Sequence, residues 1–183
     1  SLTYLMAQLV GANKVMERIK RRRGLPPISP DATPRDVEVI SGCCLMIRRW
    51  ALEEGGLLDE RFYFFGEETE WCLRFRKLGW RVCYAPVGRV VHHGGGSSAV
   101  LNHQRDVMLT RATVQLHRLC RGTVSAVLAW IILLFFNTSR AVFWLTLGRL
   151  LRPQMAAIRS KHFLGVLRNT GQTWPRLDDR QAA

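Results

Sequence analysis

Two stretches of the sequence carry side chains that could do chemistry. Gly66-Glu67-Glu68-Thr69-Glu70 gathers three carboxylates, and His92-His93-Gly94-Gly95-Gly96-Ser97-Ser98 sets two imidazoles before a triple glycine and two hydroxyls. A carboxylate beside a hydroxyl can take its proton as a general base. An imidazole can ligate a divalent metal or hydrogen-bond a phosphate, and glycine amides approach a phosphate without obstruction from a Cβ. Together they fit group transfer from a phosphate-bearing donor to a hydroxyl. Each also has an ordinary structural explanation: acidic residues favour the first turn of any helix, and glycines make a surface loop. Adjacent strand residues point to opposite faces, so only one of His92 and His93 can readily face a given site.

The elements that must position these groups follow from periodicity and punctuation. Residues 1–23 read as a helix ending in Lys20-Arg21-Arg22-Arg23 and stopped by Gly24 and Pro26-Pro27. A proline-rich loop over 25–35 leads into a strand over 37–47, interrupted at Ser41-Gly42. Gly42 marks either the border of a ligand or a simple bend. A short helix over 50–54 and the turn Gly55-Gly56 precede an aromatic-rich segment, then a helix over 67–78 with Glu70 four residues before Arg74 and Gly79 suited to its left-handed cap. Short strands are expected over 80–84 and 87–91, separated by Pro86, so this part reads as an α/β sheet.

Beyond Leu101 the composition changes to a basic helix over 105–121, an apolar run over 123–136, a break at Asn137-Thr138-Ser139-Arg140 and a further apolar stretch over 141–151. The run before Asn137 is shorter than the roughly 20 residues of a spanning helix, and extending it puts Arg140 in the bilayer. A monotopic hairpin or in-plane helices fit better than a clean span, with a buried helix pair as the alternative. Basic residues on both sides favour contact with anionic lipid. Residues 172–183 are expected to be disordered. The division is therefore 1–103, 104–171 and 172–183.

Twenty-seven Lys and Arg against fourteen Asp and Glu give a formal charge of +13, which calls for an anionic partner. Five cysteines, an odd number without a CxxC pair, argue against a disulfide framework or zinc knuckle. The chain opens in an apolar stretch without the charged region and cleavage site of a signal peptide, and the expectation is an N-terminally truncated protein.

Five short motifs in order carry a family resemblance: Ser41-Gly42-Cys43-Cys44, Gly55-Gly56-Leu57-Leu58-Asp59-Glu60-Arg61-Phe62, Phe65-Gly66-Glu67-Glu68-Thr69-Glu70-Trp71, Gly79-Trp80 and Val90-Val91-His92-His93-Gly94-Gly95-Gly96-Ser97. Over residues 36–98 they resemble the family 2 glycosyltransferases, especially the rhamnosyltransferase-like branch. The resemblance implies the C-terminal, acceptor-side half of a GT-A (Rossmann-like) domain, followed here by a helical, membrane-associated region. It implies inverting transfer of a sugar such as rhamnose from a nucleotide-diphosphate donor to a cell-envelope polysaccharide or lipid-linked acceptor, at the cytoplasmic face of the cell membrane.

By the same resemblance Glu68 is the general base, with Glu67 beside it. The family usually has Glu-Asp at these two positions, so Glu68 carries an extra methylene. Gly42, Arg74, Gly94, Gly95 and Ser97 are the candidate substrate contacts. His92 is the candidate ligand to a Mg²⁺ or Mn²⁺ that holds the donor diphosphate, with His93 the weaker of the pair. No Asp-x-Asp occurs in the sequence, and with the nucleotide-binding half absent the polypeptide alone is expected to be inactive.

Two other classes compete with this reading. An inactive membrane-anchoring or scaffolding fragment rests on residues 123–151. A nucleic-acid-binding module rests on the charge and on Trp71, Phe75 and Trp80 near Arg74, Arg76 and Lys77. No helix-turn-helix, RNA-recognition or zinc signature supports the latter, so nucleic acid is not an expected partner.

Overall fold

The computed structural model describes Thr3 and residues 33–88, 90–93 and 102–174. The chain divides into two compact units, one containing the described residues 33–93 and the other 102–174.

In the first unit β1 (Arg35–Asp36) pairs antiparallel with β2 (Cys83–Tyr84), Arg35 opposite Tyr84 and Asp36 opposite Cys83. The Val37 amide extends the ladder by donating to the Val82 carbonyl at 2.9 Å. The expected strand over 80–84 shrinks to β2; the one expected over 37–47 is absent, the chain pairing just before it at Arg35–Asp36, and residues 87–88 and 90–91 are not strand. Apolar patterning alone does not make a strand; a ladder partner is also needed, and Met46, 97% exposed, has none to pack on. Pro86, between the two expected strands, also has no amide to donate.

α1 (Arg49–Gly55) and α2 (Glu67–Lys77) pack together over a small core of Ala51, Phe62, Cys72, Phe75 and Val82. Gly55 is required by space, because a Cβ there would overlap the Phe75 ring, 2.7 Å from its Cδ1. α2 stops where the sequence places its end. Gly79 is left-handed at φ 89°, and the Trp80 amide turns back to the Phe75 carbonyl at 3.0 Å.

The second unit is helical: α3 (Asn102–Arg121), α4 (Thr123–Leu145), α5 (Leu147–Leu151) and α6 (Pro153–Arg168), followed by a 3₁₀ turn (Thr170–Gln172). Gly122 at φ 84° turns α3 into α4, and Pro153 opens α6 where its missing amide costs no hydrogen bond. α4 packs against α3 and α6 through small buried residues, Ala126, Ala129 and Ala141, which let the helices approach closely.

The expected break at 137–140 is not there. α4 runs through it because its polar side chains bond back to their own helix: Asn137 Nδ2 donates to the Leu133 carbonyl at 2.8 Å and Ser139 Oγ to the Phe136 carbonyl at 2.9 Å. Arg140 lies over the Phe136 ring, 3.8 Å from its centroid. The start of the expected disordered tail is also docked. Thr173 is buried and accepts from Trp130 Nε1 at 2.9 Å, while Trp174 meets the Trp130 ring edge-on. Residues 175–183 lie outside the described residues.

Polar links tie the helices. Asp106 Oδ2 and His162 Nε2 join α3 to α6 at 2.9 Å, and His117 Nδ1 and Ser125 Oγ join α3 to α4 at 2.8 Å. Burial, reinforced by nearby positive charge including Arg121, holds the buried His117 below the usual histidine range. Its folded form therefore resists protonation, and the stability it contributes is present above the unfolded pKa of about 6.5 and lost as pH falls through that region. The expected outcome is a bundle whose thermal midpoint drops as pH falls below about 6.5, with His117→Gln flattening that dependence. Midpoints read by circular dichroism across that range check it.

Candidate functional site

The carboxylates of the acidic turn are positioned by the entry to α2 and by its grip on the preceding turn. The chain enters α2 through two successive left-handed residues, Phe65 at φ 70° and Gly66 at φ 90°. Such a conformation is ordinary for glycine and costs a bulky residue on the order of 1 kcal/mol or more. The Phe65 ring lies edge-on against Phe64 at 4.4 Å.

Once α2 has begun, its side chains take hold of three consecutive carbonyls. Arg74 Nη1 donates to the Gly55 carbonyl, Trp71 Nε1 to that of Gly56 at 2.9 Å, and Arg74 Nη2 to that of Leu57 at 2.8 Å. Arg74 also forks onto Glu70, Nε to Oε1 at 3.1 Å and Nη2 to Oε2 at 2.9 Å. Arg61 makes a similar fork on Asp59 just below. Burial pushes the Asp59 carboxyl up, but the hydrogen bonds from Arg61 and the charges of Arg61 and Arg74 outweigh it and hold Asp59 below the usual carboxylate range.

The three acidic side chains are thereby separated in role. Glu70 is consumed by Arg74, whereas Glu67 Oε2 and Glu68 Oε2 are both shielded from solvent and meet no hydrogen-bond donor. A shielded carboxylate oxygen without a donor is uncommon and calls for an explanation, a functional one among them. Gly42 lies against the second of them: a Cβ at Gly42 would sit 3.9 Å from the Glu68 Cβ. Of the residues singled out in the sequence, Gly42, Glu67 and Glu68 are thus brought together.

The others are placed differently. Arg74, a candidate substrate contact, gives hydrogen bonds from Nε, Nη1 and Nη2 to protein acceptors and holds the turn to α2. His92 and His93 are exposed. Gly94, Gly95 and Ser97 lie outside the described residues. Among the described residues no three His, Cys, Asp or Glu side chains group so as to hold a metal ion by themselves, and no chemical step is routed through one.

Comparison with known proteins bears on what this geometry is for. Over 68 residues, 37% of the chain, the sequence is 35% identical to an N-acetylglucosaminyl-diphospho-decaprenol L-rhamnosyltransferase of Mycobacterium tuberculosis, in strain CDC 1551 / Oshkosh and in strain H37Rv alike. The chain is related to a glycosyltransferase. The match spans 22% of those relatives' length, so the chain covers about a fifth of them. No protein-family profile matches the sequence, and no solved structure matches it.

For a glycosyltransferase relative, the residues that sequence reasoning missed are the ones that set the geometry. Trp71 entered the sequence reading as a motif residue and as an aromatic near basic residues, and its indole N–H proves to be one of the three ties to the 55–57 turn. Phe65 entered the sequence reading as the first residue of the acidic motif, and its left-handed backbone is visible only in three dimensions.

Arg74→Lys is expected to destabilise the first unit by about 1–3 kcal/mol, because a single ammonium cannot span the Gly55 and Leu57 carbonyls and Glu70 together. Gly66→Ala is expected to cost about 1–2 kcal/mol through its left-handed backbone. Urea unfolding followed by tryptophan fluorescence measures both.

Proposed function

We propose that this chain forms the acceptor-side part of an inverting glycosyltransferase with a GT-A fold. The complete enzyme moves a rhamnose-like sugar from a nucleoside-diphosphate donor to a hydroxyl of a lipid-linked or polysaccharide acceptor at the cytoplasmic face of a membrane. The observation that carries the reading is the division of the acidic turn: Glu70 is tied to Arg74, while Glu68, whose Cβ lies near Gly42, keeps a donor-free carboxylate oxygen. The relationship to a rhamnosyltransferase whose name specifies a sugar on a diphospho-decaprenol carrier supports the sugar and the lipid-linked acceptor. α4, by length and composition able to cross a membrane, supports the location.

In this reading the acceptor hydroxyl approaches over Gly42, where the missing side chain leaves room. The hydroxyl oxygen attacks the anomeric carbon from the face opposite the diphosphate, its proton passes to Glu68, and the bond to the diphosphate oxygen breaks with both its electrons. One displacement inverts the anomeric centre. Glu67, the neighbouring carboxylate, adds negative charge on the acceptor side, where positive character develops on the sugar.

The test is substitution in the complete protein that carries this chain, with nucleotide release and acceptor glycosylation both measured. Glu68→Gln keeps the shape and removes the base, and kcat is expected to fall about 10²–10⁴-fold with donor KM little changed. Glu67→Gln is expected to lose less. Full turnover by Glu68→Gln removes Glu68 from the chemistry.

A further inference from the structure

α4 presents two unlike faces. Its buried residues, Ala126, Ala129, Asn137 and Ala141, fall on one side, toward α3 and α6. At 100° per residue the exposed Val124, Val127, Leu128, Ile131, Phe135 and Val142 fall on the opposite side in one stripe. From first to last the stripe runs about 27 Å along the helix. Close to its C-terminal end, α5 exposes Leu150 at 83% and Leu151 at 65% between the exposed Arg149 and Arg152.

The charge of this unit selects the surface that such a face would meet. Residues 102–174 contain ten Lys and Arg and a single acid, Asp106, a formal charge of 10 − 1 = +9. A second copy of so basic a unit is repelled, whereas an anionic lipid surface satisfies the apolar stripe and the arginines at once.

The packing also decides how the helix would meet lipid. α4 is long and apolar enough to cross a bilayer, yet it lies against α3 and α6. Each of those carries charge at mid-length, Arg111 on α3 and Arg159 with Lys161 on α6. Crossing as part of this bundle would carry those cations into hydrocarbon. Lying flat keeps them at the level of the phosphates.

We propose that α4 lies in the plane of an anionic membrane surface, the stripe from Val124 to Val142 seated at the boundary of headgroups and acyl chains and the arginines of the unit on lipid phosphates. This deepens the membrane part of the proposed function but rests on the helical unit alone, so its failure would leave the sugar-transfer reading standing.

The experiment uses the full chain and vesicles of equal parts phosphatidylcholine and phosphatidylglycerol. The chain is expected to float with these vesicles, less with phosphatidylcholine alone, and less as salt is raised. The double substitution Ile131→Glu with Phe135→Glu, on the solvent side of the bundle, is expected to weaken the partition on the order of tenfold or more. An environment-sensitive fluorescent amino acid placed in turn at Val124, Ile131, Phe135 and Val142, and quenched by lipids brominated at known depths, is expected to report one common shallow depth. A depth that changes along the helix, greatest near Ile131 and Phe135, means a span and overturns the proposal. So does a chain that fails to float, or a stripe shielded by self-association without lipid quenching.

Discussion

Three backbone carbonyls in a row, at Gly55, Gly56 and Leu57, accept hydrogen bonds from two side chains one helical turn apart on α2, Trp71 and Arg74. This tie holds α2 against the turn, and with it the backbone that carries the acidic residues. Because the same guanidinium also holds Glu70, the carboxylate cluster is split into one structural and two uncommitted members. The close approach at Gly55, where the Phe75 ring leaves no space for a Cβ, belongs to the same constraint, since a bulkier residue would push the turn off the helix. The left-handed pair Phe65 and Gly66 delivers the chain into that position.

What could be read from the sequence here was local. The spacing of Glu70 and Arg74, the span of α2 to within a residue, and Gly79 as its cap depend on neighbours in the chain, and the structure has all three. What escaped was the ligation of main-chain carbonyls, which leaves no mark on residue type, and the approach of Gly42 to Glu68, with α1 between them in the chain. For Arg74, a candidate substrate contact, the sequence shows one of its partners, Glu70, and not the two carbonyls. Residues 37–47 looked like a strand because apolar runs do, but a strand also needs an edge to pair with. In α4, Asn137, Thr138, Ser139 and Arg140 looked like a break because such residues compete with the backbone, and Asn137 and Ser139 instead bond to carbonyls of their own helix. The resemblance, not the residues taken singly, gave the acidic turn its chemical meaning, and the rhamnosyltransferase match is consistent with it over part of the chain.

The two units have complementary chemistry. One holds a compact acidic turn whose spare carboxylate oxygens face no donor; the other is a basic bundle with an apolar outer stripe. An enzyme acting on a sugar carried by a lipid diphosphate needs both a proton acceptor for a sugar hydroxyl and a means of staying beside the lipid. In this account the buried small residues of α4 serve the second need indirectly, by packing the helix tightly enough on one side that its large side chains are left for the other.

The central claim is that Glu68, and not Glu70, receives the acceptor's proton, because Arg74 has taken Glu70 out of use. Its most direct test is a structure of the complete protein with an acceptor glycolipid analogue bound. The account predicts the reacting hydroxyl within about 2.6–3.2 Å of a Glu68 carboxylate oxygen, over Gly42, with the Arg74 ties to Gly55, Leu57 and Glu70 intact. A reacting hydroxyl held by Glu70, or an Arg74 released from the turn to bind the acceptor, would contradict it.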